Sequence, residues 1–280
     1  VGVAFVKGHG TENDFVLLPD LDATLHLSAE LVARLCDRRA GLGADGVLRV
    51  VRTADEPEAR HLAAEAEWFM DYRNADGSAV EMCGNGIRVF ARYLVEAGLT
   101  EPGELAIATR DGVKQVRVGA SGDVTVDMGV ARFPGPDDVK VTVDRRVWPA
   151  VAVDMGNPHA VVFLDELDEA GALLDAPLVD PTPPDGVNVE FVVRRGDAHV
   201  AMRVHERGVG ETRSCGTGAC AAMVASARRA APDTPATYTV DVPGGRLTVS
   251  TREDGHVELT GPAVLVAVGE FAGDLLGSVG

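Results

Sequence analysis

Two cysteines in this 280-residue chain stand where sulfur could do acid–base chemistry. Cys83 is followed by Gly84-Asn85-Gly86 and the apolar-periodic run Ile87 to Ala97, and Cys215, 132 residues later, by Gly216-Thr217-Gly218 and the apolar run Ala219 to Ala227. Each reads as a cysteine at the start of a helix. There the positive end of the macrodipole favours a thiolate, and a thiol pKa can fall from ~8.5 to about 3.5–7.5. The glycines remove side chains from the first turn, so its backbone N–H groups can receive an anion such as a carboxylate. One such motif is weak evidence, because cysteine is often buried and glycine opens many turns. Two copies suggest a pair facing one substrate, and an opposed thiolate and thiol are what inversion at a carbon needs: one removes the α-hydrogen while the other protonates the opposite face. Helix dipoles, at ~0.3–2 kcal/mol each, fall short of the ~8 kcal/mol or more of barrier lowering that enzymes achieve. Direct N–H bonds to the substrate carboxylate, in a site closed to water, must carry most of it.

Other residues admit two readings each. His159, beside Asn157-Pro158, and Glu206, beside His205, could tune a thiol's protonation, or be a turn histidine and an exposed carboxylate. Arg207, Asn74 and Asn188 could read a distal carboxylate, or be a solvated arginine and turn asparagines. Cys36, on an amphipathic helix, and Cys220, inside an apolar one, read as packing. Four cysteines without a C-x-x-C pair do not make a disulfide scaffold, so reduced thiols are expected.

The elements that must position these groups are legible in outline. Val3–Val6 and Phe15–Leu18 read as strands around a polar turn, Lys7 to Asn13. Ser28 can cap a helix through Leu31, Val32, Leu35 and Cys36, with Leu27 and Val32 as a hydrophobic staple and Gly41 as its end. Gly41-Leu42-Gly43-Ala44-Asp45-Gly46 matches G-x-G-x-x-G, but it follows a helix and enters the strand-like Val47–Val51, the reverse of the dinucleotide fingerprint. A turn is expected there. Glu67–Tyr72 reads as a strand and Asn74 to Ser78 as a turn. After Cys83, residues Ile87, Phe90, Ala91, Leu94 and Val95 form an apolar face, Arg88, Arg92 and Glu96 the opposite one, and Gly98 closes the helix. Val113–Val118 and Val124–Met128 follow as strands, and a domain change is expected near Met128 to Pro136. The second half repeats the order: strand, turn (Met155 to His159), strand, a strand pair (Val189–Arg194, His199–His205), the cysteine helix, then hairpins at Gly244-Gly245 and Asp254-Gly255. An internal duplication is the simplest account.

Composition narrows the partner. A net charge of −17, from 26 basic and 43 acidic residues, with no basic block, excludes a nucleic-acid footprint and disfavours strongly anionic substrates. A zwitterion is not repelled. No apolar stretch reaches the ~20 residues of a membrane helix and the start lacks signal-peptide architecture, so the expectation is a cytoplasmic protein with no membrane partner.

Taken in order, Lys7-x-His9-Gly10-x-x-Asn13-Asp14-Phe15, Asn74-Ala75-Asp76-Gly77-Ser78, Met82-Cys83-Gly84-Asn85-Gly86-x-Arg88, Gly156-Asn157-Pro158-His159 and the run from Glu206-Arg207-Gly208 to Cys215-Gly216-Thr217-Gly218-Ala219 resemble diaminopimelate epimerase over nearly the whole chain. The resemblance implies an α/β (α+β) fold of two similar domains, each a mostly antiparallel sheet curled around a central helix: 1–128, with 268–280 returning to it, and 129–267. It implies an isomerase that needs no cofactor or metal and interconverts the LL and meso forms of diaminopimelate, a zwitterion, for lysine and peptidoglycan precursors. A homodimer is one arrangement left open. By motif, Cys83 and Cys215 would be the acid/base pair, assisted by His159 and Glu206. Gly84, Asn85, Gly216 and Thr217 would hold the α-carboxylate, with Asn13, Asn74, Asn157, Asn188, Glu206 and Arg207 around the substrate. Two departures are Thr11-Glu12, where many members have Leu-Gly, and Gly46, where some carry glutamine. A proline racemase-like enzyme fits less well, because Asn85 stands where that type has histidine, and a thiol redox or metal-binding protein lacks zinc-ligand spacing.

Overall fold

In the computed structural model, which describes residues 3–135, 138–184, 186–230 and 235–271, strands dominate. In chain order they and the helices are β1 (Ala4–Gly10), β2 (Asn13–Pro19), α1 (Ala29–Cys36), β3 (Gly46–Arg52), β4 (Trp68–Asn74), α2 (Gly84–Glu96), β5 (Gly103–Thr109), β6 (Gly112–Val118) and β7 (Val124–Val130). There follow β8 (Lys140–Val143), β9 (Arg146–Asp154), β10 (Pro158–Leu164), β11 (Leu178–Asp180), β12 (Asn188–Gly196), β13 (His199–Glu206), β14 (Gly210–Thr212) and α3 (Gly216–Ala230). The last are β15 (Thr237–Val242), β16 (Gly245–Thr251), β17 (His256–Gly261) and β18 (Val264–Glu270). The chain divides into two units, Val1–Val126 with Pro262–Gly280, and Asp127–Gly261. Of the segment 268–280 expected to return to the first domain, 272–280 lies outside the described residues.

In the first unit β1 pairs antiparallel with β18 and with β2, β2 runs parallel to β3, β3 antiparallel to β4, β4 parallel to β5, and β5, β6 and β7 form an antiparallel meander. The expected seven-residue turn between the first strands is wrong. Lys7 to Gly10 continue β1, and Thr11 and Glu12 alone reverse the chain at positive φ, 49° and 63°, the backbone of a tight two-residue hairpin. α2 packs on β1, β2, β3, β4, β6 and β18, as a helix wrapped by the sheet must. It ends as expected: Gly98, at φ 66°, donates to Val95 O and Leu99 to Leu94 O, a Schellman motif. α1 covers another face of the sheet through Leu31, Val32 and Leu35, and Ser28 Oγ accepts from Leu31 N as its cap. Gly41 is not its terminator. α1 stops at Cys36, and Gly41 is glycine because a Cβ there would lie 2.0 Å from Arg34 O.

The second unit repeats this order. β9 and β10 are antiparallel, β10 is parallel to β12, β12 antiparallel to β13, β13 parallel to β15, and β15, β16 and β17 form the meander. β8, β11 and β14 are additions, with β8 joining β9 and β11, and β14 joining β13. α3 packs on β9, β10, β12, β13, β15, β16 and β17, and its run from Gly218 to Ser226 is buried on every side. Small residues, alanine above all, let that many strands approach one helix. Among the described residues no helix is long and apolar enough to cross a membrane.

Candidate active site

Strand register lets the two halves be compared residue by residue. Phe15 pairs with Gly46 and Gly46 with Asn74. His159 pairs with Asn188, and the β12–β13 ladder, with Val189 opposite His205, puts Asn188 opposite Glu206. Asn13, Gly46, Asn74 and Cys83 therefore correspond to Asn157, Asn188, Glu206 and Cys215. In each unit these residues gather where two parallel strands begin, their antiparallel neighbour ends and the helix starts.

The cysteines cap their helices alike. Gly86 N donates to Cys83 Sγ and Gly218 N to Cys215 Sγ, both at 3.4 Å, while Ile87 N and Ala219 N close the first helical bonds on Cys83 O and Cys215 O at 2.9 Å. Each sulfur thus occupies the position of a capping oxygen, at the positive end of the helix. Gly84, Asn85, Gly216 and Thr217 form the first turns, whose N–H groups point out of the helix end.

Around Cys83 an amide chain fixes polarity. Arg88 Nη2 donates to Asn85 Oδ1 at 2.6 Å, Asn85 Nδ2 to Asn13 Oδ1 at 3.1 Å, and Asn13 Nδ2 to Asp45 Oδ2 at 2.7 Å. A guanidinium only donates and a carboxylate only accepts, so both amides have one orientation. Asn13 Oδ1 is thereby presented to the Cys83 thiol, which donates to it at 3.8 Å. Asp14, beside it, is held by Arg38 and Lys7; burial opposes its ionisation, but their hydrogen bonds and charges win and hold the carboxyl at about 2. Asn74 sits apart from this chain, accepting from Tyr72 Oη at 2.9 Å and donating to Ser78 Oγ at 3.2 Å.

Arg88 corrects the sequence reading, which put it on a polar face with Arg92 and Glu96. Arg92 and Glu96 do form a surface pair, but Arg88 is fully buried. Besides Asn85 it binds Gly84 O, Thr11 Oγ1 and Pro262 O, tying the first turn of α2 to the β1–β2 hairpin and to the residues entering β18.

The second cluster is richer in ionisable groups. His159 is no turn residue but lies in β10, where its Nδ1 is 2.7 Å from Glu190 Oε1 and its Nε2 3.0 Å from Asn157 Oδ1. Asn188, also buried, accepts from Arg207 N at 3.0 Å, while the Arg207 side chain is exposed. Glu206 accepts from Thr212 Oγ1 and is hydrogen-bonded to Cys215. Burial raises the Glu206 pKa, assisted by the charge of Glu190 and opposed by Thr212, Cys215 and His159. For Cys215 the expected lowering is overturned. Burial, then the charges of Glu206 and Glu190, drive its thiol well above the usual cysteine range, outweighing the Thr217 hydroxyl and Gly218 N–H. Cys36 and Cys220 are packed away as expected, and burial lifts the Cys36 thiol to about 11.

Glu190, Asp45, Arg88 and Thr212 are the polar partners that sequence reasoning missed. Glu190 had one signal: two residues after Asn188 on the same strand, it shares that residue's face.

Comparisons with known proteins give the family. A family model described as diaminopimelate epimerase matches residues 5–134 and 151–266. The chain belongs to the diaminopimelate epimerase family. It is 65% identical to the diaminopimelate epimerase of Streptomyces coelicolor, over 96% of this chain and 95% of that one, and 51% identical to that of Rhodococcus jostii, over 95% and 96%. As a member of this family the protein is an isomerase. Its two-domain fold extends further: a phenazine biosynthesis protein of the PhzF family from Bacillus anthracis matches with a TM-score of 0.69 at 18% identity, over 97% of this chain and 99% of that one.

Proposed function

We propose that this family member interconverts LL-2,6-diaminopimelate and meso-2,6-diaminopimelate by a two-base mechanism in which Cys83 and Cys215 act on opposite faces of one α-carbon, supplying lysine and peptidoglycan precursors. The single observation that carries the reading is that both sulfurs occupy the same capping position, each accepting from the N–H of the glycine three residues on at 3.4 Å, in two units of one topology. One cysteine, as thiolate, takes the α-hydrogen as a proton; the electron pair left behind delocalises into the α-carboxylate, and the other, as thiol, returns a proton from the opposite side. The first-turn N–H groups of Gly84, Asn85, Gly216 and Thr217 hold that carboxylate and the charge that builds on it. His159 and Glu206 assist the cysteines. Asn13, Asn74, Asn157, Asn188, Glu206 and the exposed Arg207 surround the substrate and read its distal amino and carboxylate groups. The net charge of −17 suits a substrate that carries both signs.

The test is incubation of reduced, chelator-treated protein with LL-diaminopimelate in heavy water, following stereochemistry and α-deuterium together. Meso product with deuterium at the inverted carbon is expected, with loss of both signals in Cys83→Ala and Cys215→Ala. Folded, reduced protein that neither inverts nor exchanges would refute the reading.

A further inference from the structure

The strand register that equates the two halves also exposes where they differ. Phe15 corresponds to His159 and Leu48 to Glu190, since each pair occupies the same place on its two parallel strands. Both residues of each pair are buried beneath the cysteine helix. A Cβ built on Gly86 would meet Cys83 Cβ and Leu48 Cδ2 at 3.4 Å and Phe15 Cζ at 3.5 Å, an apolar floor. A Cβ on Gly218 would meet Glu190 Oε1 at 2.7 Å and Cys215 Sγ at 3.3 Å, so carboxylate and sulfur lie within about 6 Å, in range of direct charge interaction. The Glu190 side chain is 0% exposed and its Oε2 has no hydrogen-bond partner among the described residues. A buried oxygen without a partner destabilises the fold, and an apolar residue does the packing in the other half.

We propose that Glu190 is a positioning residue that breaks the equivalence of the two cysteines: it fixes the His159 ring through Nδ1 and sets a negative charge beside Cys215, so that Cys215 rests as the proton-donating thiol. This rests on the two-cysteine reading above. A carboxylate offers only lone pairs, so Nδ1 of His159 carries a proton towards Glu190, while Nε2 faces Asn157 Oδ1 on the other side of the ring. The groups facing Cys215 are Glu206 on β13, Glu190 on β12, and Thr217 and Gly218 N–H on its own helix; His159 on β10 faces both carboxylates. Of these, Glu190 alone can be neutralised without touching a group placed around the substrate.

The experiment follows iodoacetamide alkylation of Cys83 and Cys215 separately, by peptide mass, across pH in the intact reduced protein and in Glu190→Gln. The expected result is that the Cys215 profile moves to lower pH by about one unit, a roughly tenfold faster reaction at fixed pH below its midpoint, while the Cys83 profile stays put. A second variant, His159→Phe with Glu190→Leu, copies the Phe15–Leu48 floor and should shift Cys215 the same way. In the unmodified protein, 15N shifts of His159 should show a protonated Nδ1. Unshifted Cys215 in either folded variant, equal shifts of both cysteines, or an unprotonated Nδ1 would each overturn the proposal. These readouts use no diaminopimelate, so they stand apart from failure of the substrate assignment.

Discussion

The glycine three residues after each cysteine illustrates how closely the chemistry depends on single atoms. Gly218 has a carboxylate oxygen where its Cβ would go, while Gly86 has only tight apolar contact. Gly218→Ala should therefore be the worse substitution, costing about 1–3 kcal/mol in urea unfolding as the buried Glu190 is displaced, with Gly86→Ala costing less than half as much. Activity should follow the same order. For the cysteines, replacement by alanine should lower the rate of α-deuterium incorporation by about 10²–10⁴-fold or more, the usual contribution of a positioned acid or base, without a change in melting temperature beyond a few degrees. The two thiols were legible from spacing alone. The ionisation of Cys215 was not, because the helix dipole is a local property that sequence reveals, whereas the opposing burial and carboxylates come from strands elsewhere in the chain.

At the scale of elements, α2 is held in place by an arginine that a helical wheel assigns to solvent. The i, i+4, i+8 series Arg88, Arg92, Glu96 is real, but the sheet reaches further round the first turn than round the last, so only the later members reach water. Arg88→Met should keep the aliphatic volume while removing hydrogen bonds to four residues, and we expect a loss of ~2–4 kcal/mol in urea unfolding together with a fall in kcat, because Asn85 and Asn13 lose their fixed polarity. The hairpin before α2 carries a pH dependence. Asp14 ionises at about 2 in the folded protein against 3.8 ordinarily, so its contribution is complete above pH 3.8 and is lost as pH falls through 2. Its magnitude is about 2 kcal/mol. Acid unfolding of Asp14→Asn should lack that component, and an unchanged acid limb would remove the Lys7–Asp14–Arg38 cluster from the account. Strand boundaries near this cluster escaped the sequence because Lys7, His9 and Glu12 look like loop, while the backbone turns on two residues only.

At the scale of the whole molecule, the duplication was readable from the repeated cysteine motif and the order of strands, and the pairing pattern repeats it ladder for ladder. The inserted strands β8, β11 and β14 were invisible because strands of three or four residues carry little periodicity. If the two thiols serve one carbon, mild oxidation with hydrogen peroxide should remove one hydrogen from each, reduce the peroxide to water and join Cys83 to Cys215. Activity should vanish and return with dithiothreitol, and peptide mapping that finds both sulfurs free in the inactivated protein would argue against a shared substrate. Position 46 has no room for a side chain in this sheet: a Cβ at Gly46 would meet Arg73 O at 2.5 Å and Tyr72 Cε2 at 2.7 Å.

The matching ladders carry one more consequence. Two identical copies of a single unit could not change the floor under one thiol without changing it under both. One polypeptide carrying both units is free of that coupling. Positions 15 and 48 hold phenylalanine and leucine while 159 and 190 hold histidine and glutamate, so two sulfurs in one capping geometry rest on unlike floors.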